Sequence, residues 1–538
     1  MKTSYSMKTP QQLKALLNDL VSVGSITLSE QEKFMPLRIH QHLMDIPYYQ
    51  EHPELLQNHL TTDGRSFLTA LYRHPLAKKT VVLISHFDVV DVEDFGDLKH
   101  LAFRPDELTA EWHRRKELLP EDARADLETD EWLFGRGTMD MKCGLVQHMS
   151  LLEKAAIEEW EINLLLLTVP DEEVNSVGMR EAIPKINELA KQHHLAYTLF
   201  LNSEPMFSQK PGDNQYYFYT GSIGKIMPSA LCFGKETHVG EPLSGVNAAW
   251  MSSMLSQEVE WNEKLCETSR TQTCPPPTIL WQKDLKEEYS TQIPHRSVSM
   301  YNFFLMEKNP EDVMELMKGA AAEAVNKMEA FMADKYKRFG VDTRKAPSIR
   351  VLSYQELRSY ACQKAGTDYI AGIEHFVAKK RVGDNRAQAI DVVDQISILC
   401  QELAPMIVLF FAPPYYPAVQ TGNDPLIEEL SQSLITFTKE TYGHTLQSID
   451  YFNGISDLSY ALLQAPLSSM EAFDRNMPGE RELYHIPFAE MAALKAPVLN
   501  IGPIGKDAHK KTERLYLPFA FEELPGILEY VIKKHQSQ

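Results

Sequence analysis

Three apolar runs that each break off into imidazole or carboxylate side chains constrain this chain more than any other feature. They are Thr-Val-Val-Leu-Ile-Ser-His-Phe-Asp from residue 80, Ile-Asn-Leu-Leu-Leu-Leu-Thr-Val-Pro-Asp-Glu-Glu from residue 162, and Tyr-Thr-Leu-Phe-Leu-Asn-Ser-Glu-Pro from residue 197. Unbroken apolar runs of this length predict strands buried on both faces, as in a parallel sheet covered by helices. Stretches at 143–158 and 178–195 predict covering helices, so the expected fold is α/β, with a mixed, mainly parallel sheet flanked by helices. In such sheets functional groups gather at the carboxyl ends of the strands. That is where the polar residues fall.

At 538 residues the chain exceeds one ordinary core, and two or three domains are expected. Leu13, Leu16, Leu17 and Leu20 give an amphipathic opening helix over 10–22. From about residue 222 the texture changes, and a β-α-β-β-α-β order fits, with extra helical material at 354–404. Asn309 before Pro310 and two acids predicts the start of a long helix with one apolar face. Cys-Pro-Pro-Pro at 274–277 and Ala-Pro-Pro-Tyr-Tyr-Pro at 412–417 read as turns, the second as the return to the first domain. The 54 Lys plus Arg against 74 Asp plus Glu, a net charge of −20, argue against nucleic acid as a partner. Six scattered cysteines suit reduced thiols, and no signal-peptide or membrane-span pattern is present. A cytoplasmic protein that does not engage membranes is the expectation.

Taken singly, His86, Asp140, Glu172, Glu173 and Glu204 each have an ordinary structural explanation as caps, turn residues or surface charges. Together, just after strands of one sheet, they suit a different task. Imidazoles and carboxylates ligate zinc-like ions. A two-ion hydrolytic site also needs a bridging carboxylate and a second carboxylate left to move a proton.

Five ordered motifs carry a resemblance: His-Phe-Asp at 86–88, Gly-Arg-Gly-Thr-Met-Asp-Met-Lys-Cys-Gly at 135–144, Thr-Val-Pro-Asp-Glu-Glu at 168–173, Glu-Pro at 204–205, and Ala-His-Lys-Lys-Thr-Glu at 508–513. The chain resembles the aminoacylase/carboxypeptidase family of di-zinc metallohydrolases, which includes succinyl-diaminopimelate desuccinylase and acetylornithine deacetylase. The resemblance implies a catalytic domain of residues 1–221 and 418–538 and an inserted α+β ferredoxin-like lid and dimerisation domain at 222–417. It also implies two divalent ions, zinc first and cobalt or manganese as alternatives. The ligands would be His86, Asp140, Glu173, Glu204 and His509, with Asp140 bridging. Asp88 would orient His86, and Glu172 would be the general base that generates a bridging hydroxide. His238, in the stretch 234–249, would stabilise the oxyanion, from the same chain or from a dimer partner. Glu204 in place of Asp is similar to carboxypeptidase and deacylase members.

The departures concern the substrate. Thr291 and Phe304 stand where relatives carry an asparagine and an arginine that grip a carboxylate, with Arg296 and Lys225 as conceivable stand-ins. Cys143 replaces a glycine, and Asp457 is expected to shape the floor of the site. A long loop at 97–131 and the enlarged middle segment look most like the RocB branch of arginine-utilisation proteins. The expected reaction is cleavage of an amide bond in an N-acyl amino acid or small peptide, within arginine catabolism. The alternatives are a dipeptidase or aminopeptidase on the same site, or a binding protein of the same fold without metal.

Overall fold

The strand Thr80–His86 is buried at every residue and lies between Asn163–Val169 and Tyr197–Asn202, parallel to both. These are the three runs singled out in the sequence, now side by side. His86 pairs in register with Val169, and Ile84 with Asn202, so their polar extensions leave the sheet at one edge. In the computed structural model, which describes residues 5–210, 212–213, 215–380, 384–479 and 483–538, the sheet has eight strands. Beyond the central three, Ser66–Tyr72 and Leu56–Leu60 extend one side, and Val498–Asn500, Tyr216–Tyr219 and Leu446–Ile449 the other. Four of its seven pairings are parallel.

Helices cover the sheet because their apolar spacing leaves them no other way to bury a face. The opening helix Pro10–Ser22 is capped by Thr9 in a reciprocal arrangement with Gln12 and buries Leu13, Leu16, Leu17 and Leu20. Cys143–Glu158 and Leu524–Ser537 join the same core.

The segment 97–131, read from sequence as a long loop, contains helices Pro105–Arg114 and Glu121–Leu127. Leu98, Leu108, Trp112, Ala123 and Leu127 pack with Trp132 and Phe134 in a small core of their own. The helices are short, and their apolar positions are diluted by charge, which hides them from a periodicity search.

The chain divides into two compact units: Met1–Ile223 with Val419–Leu463 and Ala489–Gln538, and Gly224–Ala418 with Gln464–Phe488. Residues 464–488, expected in the catalytic domain, therefore group with the second unit. Phe473 of helix Leu467–Asn476 explains this, since it stacks on Phe411 and packs against Tyr415.

The second unit holds the sheet order Thr278–Asp284, Arg296–Leu305, Gly224–Phe233, Met406–Tyr416, Arg350–Ser353. The first four strands, with helices Ala248–Val259 and Pro310–Arg338, make a ferredoxin-like α+β sheet, and Arg350–Ser353 adds a parallel edge strand. The long helix begins where the sequence indicates, with Asn309 accepting from the backbone N–H of Glu311 and Asp312. The 412–417 prolines lead up to the return of the chain to the first unit at Val419, but they do not form a turn throughout. Pro413 and Pro414 lie inside the buried strand Met406–Tyr416, whose pairing shifts register between Ala412 and Tyr416, and Pro417 follows it. A bulge is the place where a strand tolerates residues that cannot donate a hydrogen bond.

The central strands should dominate stability of the first unit. Leu166, fully buried in Asn163–Val169, is expected to cost about 3 kcal/mol when changed to Ala. Leu76→Ala, at a position 71% exposed, should stay within about 0.5 kcal/mol. Denaturant titration of the two variants checks the contrast.

Candidate metal centre

Seven of the eight residues expected at the site converge in the first unit. His86 ends its strand, and Asp88 follows two residues later. Glu172 and Glu173 follow Asn163–Val169, Glu204 follows Tyr197–Asn202, and Asp140 sits in the turn Thr138–Lys142 ahead of helix Cys143–Glu158. His509 comes from a loop between the short strands Gly505–Lys506 and Arg514–Tyr516. Close backbone packing holds these turns in place. A side chain at Gly502 would meet the Glu204 carbonyl oxygen at 2.0 Å, and one at Gly144 the Ser203 carbonyl oxygen at 2.4 Å.

Two clusters share one carboxylate. His86, Asp140 and Glu204 bring ligand atoms within 4.8 Å of one another, and so do Asp140, Glu173 and His509. His86 Nε2 lies 3.4 Å from Asp140 Oδ1 and 3.6 Å from Glu204 Oε1. On the other side, His509 Nε2 lies 3.3 Å from Asp140 Oδ2 and 3.1 Å from Glu173 Oε2. The two oxygens of Asp140 thus face different clusters.

These separations test whether ions fit. Tetrahedral ligands on bonds of about 2.0–2.1 Å lie about 3.4 Å apart. Three of the four distances match that edge. His86 Nε2 and Glu204 Oε1 are buried and have no hydrogen-bond partner among the described residues. Buried polar atoms are rarely left so. A cation between them would satisfy both.

The electrostatics point the same way. Burial pushes the carboxyls of Glu204 and Glu172 well above the usual range, and neighbouring acids, Asp457 among them, push them further. Burial would lower His86, but Glu204, Asp140 and Asp88 outweigh it and hold the imidazole well above its ordinary value. His509, half-exposed, is likewise pushed up to about 11 by Asp140 and Glu173 against its partial burial.

Behind the clusters, Asp88 is fully engaged. Its carboxylate accepts from the backbone N–H of Glu172 at 3.1 Å and of Glu173 at 3.3 Å, and from the Thr27 hydroxyl at 2.8 Å. His86 Nδ1 lies 3.1 Å from the Asp88 carbonyl and 3.5 Å from its carboxylate. One residue therefore contacts both the imidazole and the backbone of the Glu172–Glu173 turn.

The profile of peptidase family M20/M25/M40 matches residues 82–498. The chain belongs to this family. It is a metallohydrolase of the peptidase or deacylase type. Protein YqjN of Bacillus subtilis (strain 168), itself uncharacterised, is 44% identical over 529 residues, which cover 98% of this chain and 96% of the relative. Protein RocB of the same strain is 29% identical over 539 residues, covering 97% and 94%. The M20 family metallo-carboxypeptidase Sso-CP2 from Sulfolobus solfataricus shares the fold at TM-score 0.55 and 13% identity, covering 96% of this chain and 98% of that structure. The family match ends before His509, so that residue stands on its distances to Asp140 and Glu173.

His238 belongs to the second unit, on an exposed stretch whose backbone bridges to Gln292, and its Nδ1 accepts from the Gly240 N–H at 3.1 Å. Thr291 is exposed, and Phe304 pairs with Lys225 across two strands. Arg296 forms an ion pair with Asp394 of helix Asn385–Leu399, part of the extra helical material. Cys143 is buried, its thiol pushed up to about 12, which removes it as a nucleophile.

Several supporting residues were missed from sequence. Arg136 and Glu513, both buried, pair at 2.7 Å and tie the Asp140 turn to the His509 loop. Arg65 bridges Glu32 at 3.1 Å and Asp171 at 2.9 Å, beneath the acidic turn. Lys142 is fully buried with no hydrogen-bond partner for its Nζ among the described residues, and burial pulls its ammonium down to about 8. Arg136, Lys142 and Glu513 stand inside motifs already quoted, which was the available signal. Glu32 and Arg65 offered none.

Ligation needs neutral imidazoles and ionised carboxyls. Neighbouring carboxylates hold His86 above its ordinary value, and they push His509 up to about 11, so His509 carries a proton at pH 7. Ion uptake at pH 7 should therefore release at least one proton per chain. Calorimetric titration in buffers of different ionisation enthalpy measures the number. Zero release would contradict the electrostatics described.

Proposed function

We propose that the chain hydrolyses the amide bond of an N-acyl amino acid or small peptide, with two divalent ions held by His86, Asp140, Glu173, Glu204 and His509. The observation that carries this reading is the position of Glu172. Its carboxylate lies 4.0 Å from His86 Nε2, yet it belongs to neither ligand cluster. A buried carboxyl with a raised proton affinity, beside ligands but not one of them, is suited to moving a proton.

Bound ions would polarise the scissile carbonyl and make water acidic enough to ionise near neutral pH. Zinc fits the imidazole and carboxylate donor set, with cobalt and manganese as the competing choices. Glu172 takes the proton of the attacking water and delivers it to the leaving amine nitrogen. Asp88 holds His86 in one tautomer. His238 donates to the developing oxyanion, from the same chain or from a partner in a homodimer.

For the substrate, Arg296 is a poor carboxylate grip, because Asp394 already occupies its guanidinium. The net charge of −20 suits a basic substrate, in keeping with the RocB-like branch and a role in arginine breakdown. No helix among the described residues is long and apolar enough to cross a membrane, and a cytoplasmic address remains part of the proposal.

Acyl-arginine and acyl-ornithine compounds should be assayed beside a dipeptide panel, with zinc, manganese and cobalt in turn. Glu172→Gln is expected to lower kcat about 10²–10⁴-fold while both ions stay bound. A fully active Glu172→Gln enzyme would refute the mechanism. Turnover confined to the dipeptides would favour a peptidase, and absence of both tight metal and turnover would favour a binding protein.

A further inference from the structure

Segment 97–131 sits beside the loop that carries His509 and is joined to it by charge. Its own core of Leu98, Leu108, Trp112, Ala123 and Leu127 fixes the direction of helix Glu121–Leu127. From that helix, Asp126 accepts from Arg514 Nε at 2.7 Å and from Lys506 Nζ at 2.9 Å, and Asp122 meets Arg514 Nη2 at 3.0 Å. Arg514 is wholly buried. Its Nη1 pairs with Asp507 and donates to the Thr512 carbonyl at 3.1 Å, while the Thr512 hydroxyl donates to Asp507 at 2.9 Å. Asp507 and Thr512 bracket His509, so Arg514 closes the loop from within.

That loop needs closing. Asp507 and His509 both have positive φ, 59° and 64°. Residues with side chains adopt this region at a cost, and it persists where the surroundings over-determine it. A buried guanidinium held on its outer side by the largely buried Asp126 and the more exposed Asp122 supplies that determination, since a buried charge that loses partners is costly.

We infer that segment 97–131 is a brace that positions His509, acting through Asp122, Asp126 and Arg514, and so sets the affinity of one half of the metal centre alone. The inference rests on His509 being a metal ligand. Asp122, Asp126 and Arg514 are positioning residues, and none is a ligand. The other half should not sense the brace. His86 and Glu204 leave the ends of central strands and depend on the sheet. The Arg136–Glu513 pair still anchors the far end of the loop, with the Gly135 N–H on the Glu513 carbonyl at 3.0 Å. Losing the brace should therefore loosen the loop without removing it.

The test is titration of the full chain, stripped of metal, with cobalt or zinc against a competing chelator, reading both dissociation constants and the final stoichiometry. Asp122→Asn with Asp126→Asn should leave the first ion as in the wild type and weaken the second about 10–100-fold, the usual effect of losing support behind a ligand. Asp126→Glu should restore part of the loss. Lys116→Met, which removes an exposed pair with Glu128 in the same segment, should change neither constant. His509→Ala separates the two claims. If it loses the second ion while the double variant binds both normally, the brace is wrong and the reading of the site stands. If His509→Ala still binds two ions normally, both are wrong. Equal weakening of both ions in the double variant would also overturn the brace. Should the double variant unfold, Asp126→Asn alone is read by the same criteria.

Discussion

Everything at this site depends on one carboxylate presented to two sides. Asp140 Oδ1 faces His86 and Glu204, and Oδ2 faces His509 and Glu173. The arrangement gathers Asp140, Glu173 and Glu204 with Glu172 and Asp457 in a largely buried space. In low dielectric such charges repel strongly, and each raises the proton affinity of the next. Two states relieve the repulsion. Either the imidazoles and carboxyls hold protons, or divalent cations take their place. The ligand separations near a tetrahedral edge, and a His86 Nε2 without a hydrogen-bond partner among the described residues, favour cations.

The surrounding fold converts that constraint into fixed geometry. Parallel strands in register bring His86 and the Glu172–Glu173 turn to one edge of the sheet, and the Asp88 carboxylate locks the two together. The Glu32–Arg65–Asp171 pairs lie under the acidic turn, and Arg136–Glu513 connects the Asp140 turn to the His509 loop. Burial makes these ion pairs costly to break, because removing one partner leaves an uncompensated charge.

How much was legible in the sequence follows from the range of each interaction. Strand identity comes from local apolar content, so the three central strands and the polar residues at their ends could be read directly. The start of helix Pro310–Arg338 was as clear, because an N-cap is a local signal. The helices of 97–131 were not, since seven to ten residues rich in charge show little period. The strand Met406–Tyr416 was obscured because prolines mark turns more often than bulges. Residues 464–488 could not be assigned to the second unit, because the contact of Phe473 with Phe411 depends on tertiary packing alone. The same holds for Arg136 and Glu513, which are 377 residues apart in the chain. Five ordered motifs point to the ligand set, but not to what holds it.

Asp140 is proposed to be shared by two ions. The most direct measurement is a crystal structure of the metal-loaded protein with anomalous scattering recorded at the absorption edge of the bound metal. Two peaks about 3.5–4 Å apart are expected, one between His86 and Glu204 and the other between Glu173 and His509, with one Asp140 oxygen toward each. A single peak, or two peaks that do not share Asp140, would contradict the proposal.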